Sequence, residues 1–471
     1  MSISTDHARD PSGLASAGAP RAGACLRARL AGLWRRIDTI GFGRSAAVAF
    51  SVRVASAGLL YLSQIVLARW MGGFEYGVYV AVWTWVLVLG GVSSLGLATL
   101  SMRLVAEHRE RGEHDRLRGL LLYGRLVPMG VATLVAGAAL GALHVGGDLL
   151  SQPFVLPATI ALFCVPIIAL SDVQDGIGRG RGWMSVALLP PYVLRPLLVL
   201  AAMWLAHDLG WPMTAATAAG AAVVGTWGAA AVQTLTLSRK LSSELPRGPA
   251  LAPRGLWLAS SLPLLATTFG ELMLQNTDIL VVSQLLGPAE AGVYFAAAKT
   301  MSLVMFVHYA VGSAMAGRFA ELNARGDREG LRLAVRRAVQ WTFWPSLAAA
   351  LVLLALGRPL LWLFGPQFEA GYPVMLVLVV GFLGRAAMGP SELLLSMLGQ
   401  QRAAAVAALA VVALNLALSF ALVPMLGTLG AAAATATSLI AGAALTRGIA
   451  SRKLGLGIAI WQNHGRRPSG H

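Results

Sequence analysis

The chain has 471 residues, of which 56% are hydrophobic and only 12% charged, with a mean hydropathy of +0.68. A soluble domain carries about 25% charged residues, so half that share, spread over long uncharged stretches, excludes an ordinary soluble protein and predicts a polytopic membrane protein. The formal net charge of +16 would suggest a nucleic-acid partner for a soluble chain, but here the arginines sit in short loops between apolar spans, where they report topology.

In chain order, residues 1–44 come first. They lack an apolar core followed by a small-residue cleavage site, so they do not read as a signal peptide. Residues 1–24 are rich in Ala, Gly, Ser and Pro, a composition that favours disorder. Leu26, Leu30, Leu33 and Ile37 then recur at helical spacing among Arg27, Arg29, Arg35 and Arg36. That pattern fits either a basic amphipathic helix lying on an anionic leaflet or a disordered basic tail.

A membrane span needs about 20 mostly apolar residues. Twelve such stretches follow, at 46–69, 77–102, 119–143, 153–174, 184–206, 213–237, 256–286, 290–317, 335–356, 370–397, 403–425 and 428–449. No alternation of period two runs through them, which speaks against an outer-membrane barrel. Basic residues crowd the loops after the even-numbered spans: Arg109, Arg111, Arg116 and Arg118; Arg179 and Arg181; Arg239, Lys240, Arg247 and Arg254; Arg318, Arg325, Arg328 and Arg332; Arg402; and Arg452, Lys453, Arg466 and Arg467. The opposite loops carry little beyond Arg69 and Arg358. By the positive-inside rule both termini are expected in the cytoplasm.

The chain repeats itself. Glu75, Gly77, Val78, Tyr79 and Ala81 meet Glu290, Gly292, Val293, Tyr294 and Ala296, about 215 residues further on. "AEHRERGEHDRLR" from Ala106 matches "AELNARGDREGLR" from Ala320, and "GRGR" from Gly178 has a counterpart in "GQQR" from Gly399. The reading is therefore a basic tail (1–44), a six-helix bundle (45–238), a cytoplasmic linker (239–255), a second six-helix bundle (256–450) and a basic tail (451–471). Six is even, so both bundles enter from one side, as in a parallel repeat whose substrate site lies between the halves. Gly77 and Gly292 permit a tight turn or a close helix contact. Tyr79 and Tyr294 suit the aromatic belt at the membrane interface.

These elements resemble a known group. "TDILVVSQLLGPAEAGVYFAAAK" from Thr277 to Lys299 looks like the seventh-to-eighth span signature of polysaccharide flippases, and "LARWMGGFEYGVY" and "GIGRGRG" resemble the matching first-half elements. The resemblance runs from Arg44 to Arg447 and is to the Wzx-like O-antigen and polysaccharide flippases of the multidrug/oligosaccharidyl-lipid/polysaccharide (MOP) exporter superfamily. It implies an all-α, MATE-like polytopic fold of about twelve transmembrane helices. It further implies flipping of undecaprenyl-diphosphate-linked oligosaccharide across the bacterial inner membrane, with a polymerase and chain-length regulator as pathway partners. A multidrug or organic-cation antiporter of the same superfamily is the alternative.

Ionisable residues inside spans are costly, about 2.5–3.5 kcal/mol each on insertion scales, and mark cavities or partners. Arg53, Arg195, Lys299 and Arg385 lie in spans 1, 5, 8 and 10, and together they favour an anionic substrate such as a lipid diphosphate, since guanidinium groups bind phosphate oxygens in pairs. Each also has a structural reading. Arg53 and Arg125 can snorkel towards a span end, and Arg195, between Pro191 and Pro196, can satisfy freed carbonyls. Glu271, Gln275 and Asp278 recur at i, i+4 and i+7 on span 7, hence on one helix face. With Asn415 in span 11 and Thr435 and Thr437 in span 12, they form a candidate site for a coupling sodium ion or proton. The resemblance places Asp278 on the family's span-7 aspartate. The alternative is that Glu271 or Asp278 pairs with a base such as Lys299.

Nothing points to catalysis. No "GxxxxGK[ST]" nucleotide loop is present. His144, His207 and His308 lack metal-ligand spacing, and Cys25 and Cys164 support neither a disulfide framework nor a metal site. Glu392, near the end of span 10, reads as structural. A membrane-bound polymerase or ligase would need a large outer loop, and the longest outer segments, around 143–153 and 357–370, are too short.

Overall fold

The computed structural model describes residues 44–145, 152–245, 248–397 and 401–454. The basic segment Leu26–Ile37, most of the Gly399–Arg402 stretch and the tail beyond 454 lie outside them, and so does the side chain of Arg53. Every regular element among the described residues is helical. The order is α1 (Arg44–Ser93), α2 (Leu97–Glu110), α3 (His114–Val145), α4 (Gln152–Ala161), α5 (Val165–Gly180), α6 (Met184–Leu189), α7 (Arg195–Asp208), α8 (Ala215–Glu244) and α9 (Arg254–Leu285). Then come α10 (Pro288–Ser302), α11 (Met305–Ala324), α12 (Arg328–Ala355), α13 (Gly357–Trp362), α14 (Tyr372–Ala387), α15 (Ser391–Met397), α16 (Gln401–Leu426) and α17 (Thr428–Leu454).

Among the described residues ten helical segments are long and apolar enough to cross a membrane, or eleven when α10 and α11, bent by 40°, count as one. The remaining pass is inside α1. That helix is interrupted at Gly72, whose backbone is non-helical (φ 77, ψ 171), and so holds two spans. Twelve passes result, as the hydropathy predicts. The structure differs from the sequence reading in continuity. The second span breaks at Leu95 and Gly96, both at positive φ, before α2. The fifth carries a π-helical turn at Pro190–Leu194. The tenth breaks at Gly389 (φ 71) between α14 and α15. Each break sits where a glycine or proline removes the helical preference or the N–H donor.

The repeat is visible in space. Gly72 and Gly287, about 215 residues apart, are both left-handed turn residues, at φ 77 and 99. The helices that follow them meet at Gly77 and Gly292. A Cβ on Gly77 would fall 1.7 Å from the Pro288 carbonyl oxygen, and one on Gly292 would lie 2.9 Å from the Gly73 carbonyl oxygen. The two copies of the motif thus form a backbone-to-backbone seam that admits no side chain. Beside it Tyr61 and Thr300 share a hydroxyl hydrogen bond of 2.9 Å. Arg69 donates to the Leu363 and Trp362 carbonyls (2.7 and 2.8 Å) with its guanidinium over the Trp362 ring.

The core has a matching shape. At the seam end one buried cluster runs continuously from Leu67 in the first half to Ala432 in the second. At the arginine-rich end it is replaced by two separate clusters, one around Leu100, Leu120 and Trp257, the other around Phe319, Val335 and Leu395. The buried cores of the two halves are continuous at one end and separate at the other, where α9 crosses between them. The first turns of α9 belong to the first-half cluster: Trp257 packs on Tyr123 with ring centroids 5.5 Å apart. The connecting segment docks there too, through Leu251 N–H to the Asp115 carbonyl (3.0 Å) and Arg118 to the Pro249 carbonyl (2.8 Å).

One expectation is corrected. Tyr79 and Tyr294 do not sit in an interfacial belt; both are buried, because the seam encloses the helix starts that carry them. Arg125 is half-buried, and its Nε and one terminal nitrogen are shielded without a hydrogen-bond partner among the described residues.

Candidate functional site

The second half builds a polar site on α9. Asp278 is buried. Its Oδ2 accepts from the Tyr294 hydroxyl at 2.7 Å and from the Thr435 hydroxyl at 3.4 Å, and its Oδ1 accepts from the Ile279 N–H at 2.9 Å. Tyr294 comes from α10 and Thr435 from α17. α16 packs against both α9 and α17 and brings Asn415, which is 1% exposed. Both amide atoms of Asn415 lack a partner among the described residues, as do the hydroxyls of Ser419, one turn along α16, and Ser438 of α17. Buried polar atoms are nearly always satisfied by protein, water or an ion, so the Asp278 carboxylate and Thr435 hydroxyl, with these unpartnered polar groups on the packed neighbouring helices, are suited to a bound water or a monovalent cation.

Glu271 and Gln275 do not join that site, although the spacing placed them on its face. Both are exposed, whereas Asp278 is enclosed. Seven residues return a helix to nearly the same face but displace it by about 10.5 Å along the axis, and only the Asp278 level is covered by α10 and α17. Glu271 instead interacts electrostatically with Arg385 and Glu392. Arg385 forms an ion pair with Glu392, N to O 2.8 Å, across the turn at Gly389 that separates α14 from α15. His308 of α11 lies within the same field. Glu271, His308, Arg385 and Glu392 are thus one cluster, and Glu392 acts as a direct partner of Arg385.

Lys299 occupies the last turn of α10, immediately before the bend, where a cation complements the helix dipole. Its ammonium stands 5.0 Å from the Phe295 ring centroid and within electrostatic reach of Asp278. It makes no ion pair among the described residues. Arg195 stands apart from both groups. Its guanidinium lies 5.7 Å from the Trp83 ring centroid, and it lines a small cavity of the first half together with Asp172. The structure therefore brings Asp278, Asn415 and Thr435 onto packed neighbouring helices, links Glu271 with Arg385, and separates Arg195 from them.

Three functional candidates escaped the sequence reading. Asp172 was legible as an acid inside an apolar stretch. His308 acquires its setting only from Arg385 and Glu392. Tyr294 was visible as a repeated motif residue, but its carboxylate partner was not.

A twelve-pass helical fold with two pseudo-repeated halves and charges held inside its spans defines a polytopic all-α membrane protein. The family model for polysaccharide biosynthesis proteins matches residues 42–323, and the chain belongs to that family. The MatE family model matches residues 263–421. The probable multidrug resistance protein NorM of Rhizobium meliloti (strain 1021) is 28% identical over 207 residues, 41% of this chain and 42% of that protein, so the match spans under half of the relative. Among solved structures, an inward-facing multidrug resistance MATE family transporter of the MOP superfamily aligns with a TM-score of 0.72 at 14% identity, over 86% of this chain and 98% of that one. A MOP superfamily transporter from Pyrococcus furiosus, whose reversed binding-pocket polarity suggests a different function, aligns with a TM-score of 0.59 at 14% identity, over 87% and 95%. These likenesses establish the MATE-like fold.

Proposed function

We propose that the protein flips an undecaprenyl-diphosphate-linked oligosaccharide across the bacterial inner membrane by alternating access, with both termini cytoplasmic. The observation that carries this reading is Lys299, an ammonium inside a broken span with no ion pair among the described residues. A cation inside a span without a direct ion pair, with only the electrostatic reach of Asp278, is expensive and suits a substrate that brings phosphate. Arg385 is the second anion contact, exchanging Glu392 for substrate, and Arg53 shares the role from span 1. Arg195, committed to its own cavity, serves the first half. Asp278, Asn415 and Thr435 hold the coupling ion, sodium or a proton, and Glu271 tunes Arg385. The separated clusters at the arginine-rich end supply the entrance, and the seam at Gly77 and Gly292 closes the exit. Polymerase and chain-length regulator are the partners this activity calls for.

The multidrug antiporter remains the second reading, favoured by the MatE match and the NorM relative. One experiment separates them. Lys299→Ala should reduce surface polysaccharide export at least tenfold while the protein remains in the membrane, and should leave susceptibility to organic cations unchanged. Unchanged export combined with altered drug susceptibility would favour the antiporter.

A further inference from the structure

The first half holds a small cavity, apolar over most of its wall but with a few polar groups, that the transport reading does not use. It measures about 30 Å³ and is lined by Ser171, Asp172, Pro191, Arg195, Thr226 and Gln233. It lies between α5, α8 and the π-helical turn Pro190–Leu194 that delivers Arg195. π-turns inside helices recur at functional positions. Asp172 and Arg195 share the cavity and interact electrostatically, but no direct ion pair joins them. Their charged neighbours on α5 are accounted for, since Asp175 and Arg179 pair with each other one helical turn apart. The Oε1 of Gln233 is buried without a hydrogen-bond partner among the described residues, while its Nε2 is engaged by the Ala187 carbonyl. The volume suffices for about two waters, given that one needs roughly 10–15 Å³ of such space.

A carboxylate, two hydroxyls and an amide oxygen around a small hole are the donor set of a monovalent-cation site. One cation is already there, fixed to the chain. We propose that this cavity is a cation site whose occupant is the tethered guanidinium of Arg195, held by Asp172 through bridging water, so that the first half exchanges no mobile ion. The π-turn explains how the guanidinium is presented: the extra residue in the turn rotates Arg195 relative to a regular helix, and Pro191 and Pro196 keep that turn from relaxing.

Removing the tether should expose a vacant cation site, and this can be tested on the purified full-length protein in detergent without any substrate. Arg195→Ala should lower the melting temperature by about 3 °C or more. Guanidinium chloride at tens of millimolar, far below denaturing levels, should restore at least half of the loss, and equal sodium chloride should restore less. Wild type should not respond. The Asp172→Asn/Arg195→Ala double variant should gain nothing from guanidinium. Absence of rescue in Arg195→Ala, or equal rescue in the double variant, overturns the proposal. If Arg195→Ala does not fold, Arg195→Lys, Asp172→Asn and their combination decide the matter. A combined loss smaller than the sum of the single losses supports the pair, and strict additivity overturns it.

Discussion

The two halves carry the same motif and put it to different uses. In the second half Tyr294 donates its hydroxyl to Asp278, whose carboxylate also meets Thr435, while Asn415, without a partner among the described residues, lies on an adjoining helix. In the first half the corresponding Tyr79 stacks on Trp83, with ring centroids 6.2 Å apart. The position matching Asp278 in the repeat is Ser63, whose hydroxyl turns back to the Leu60 carbonyl at 2.7 Å. The first half's own acid within a span, the half-buried Asp172, lies on another helix and shares a small cavity with Arg195. Duplication thus preserved what the fold needs, namely the turn glycines and the seam, and let the charges diverge. On the proposed reading, an open oxygen site in one half and a site filled by arginine in the other would give a coupling ion a single address.

The seam offers the largest perturbation of that comparison. Gly77→Val places a side chain where the Pro288 carbonyl oxygen stands, at 1.7 Å from the new Cβ. Overpacking of this kind costs about 3 kcal/mol or more, over a hundredfold in the balance between closed and open seam. A cysteine probe near Trp362 should then become reactive, and one near Gly112, at the opposite end, should become protected. Gly292→Ala, with its nearest clash at 2.9 Å, should shift both readouts in the same direction by less.

The next contrast sharpens the difference in charge. Asp278→Asn should abolish ion-dependent stabilisation of the purified protein, whereas Ser63→Ala should not. An ion at a hundred times its dissociation constant contributes about 2.7 kcal/mol, so the wild-type melting temperature should rise when sodium replaces choline at constant ionic strength, or shift with pH if the ion is a proton. A response retained in Asp278→Asn would remove that residue from the ion site.

The smallest expected effect compares the two tyrosines. Tyr294→Phe removes a hydrogen bond to a buried carboxylate, worth about 1.5–3 kcal/mol, and should weaken ion affinity in the stability assay. Tyr79→Phe keeps the ring on Trp83 and should leave that affinity unchanged. Equal effects would mean that the repeated tyrosines serve packing alone.

The fold was legible because membrane passes obey a simple rule of length and apolarity, and because a repeat about 215 residues long announces two alike halves. Gly77 and Gly292 could be marked for close contact, since only a residue without a side chain allows it. The site was legible in part. Asp278 and Asn415 stood out as polar residues in apolar helices, but the partners of Asp278 lie 16 and 157 positions away, on helices whose rotation about their axes no local pattern states. The grouping of Glu271 with Asp278 failed because helical phase fixes a face and not a depth. The Arg385–Glu392 pair was hidden because the seven-residue interval contains the Gly389 turn, where helical phase no longer applies.

The central claim is that an anionic lipid-linked glycan crosses the membrane through this protein. Moving a charge through a membrane potential is worth about 2.3 kcal/mol per 100 mV, so a lipid diphosphate carrying two charges should gain about 4–5 kcal/mol per 100 mV on leaving a negative interior. The direct measurement is flipping of undecaprenyl-diphosphate-linked oligosaccharide in reconstituted vesicles with the potential clamped. The account predicts flipping that accelerates with an inside-negative potential and slows strongly when it is collapsed. A rate indifferent to potential would remove the electrogenic step, and organic-cation transport in the same vesicles without any lipid flipping would contradict the claim itself.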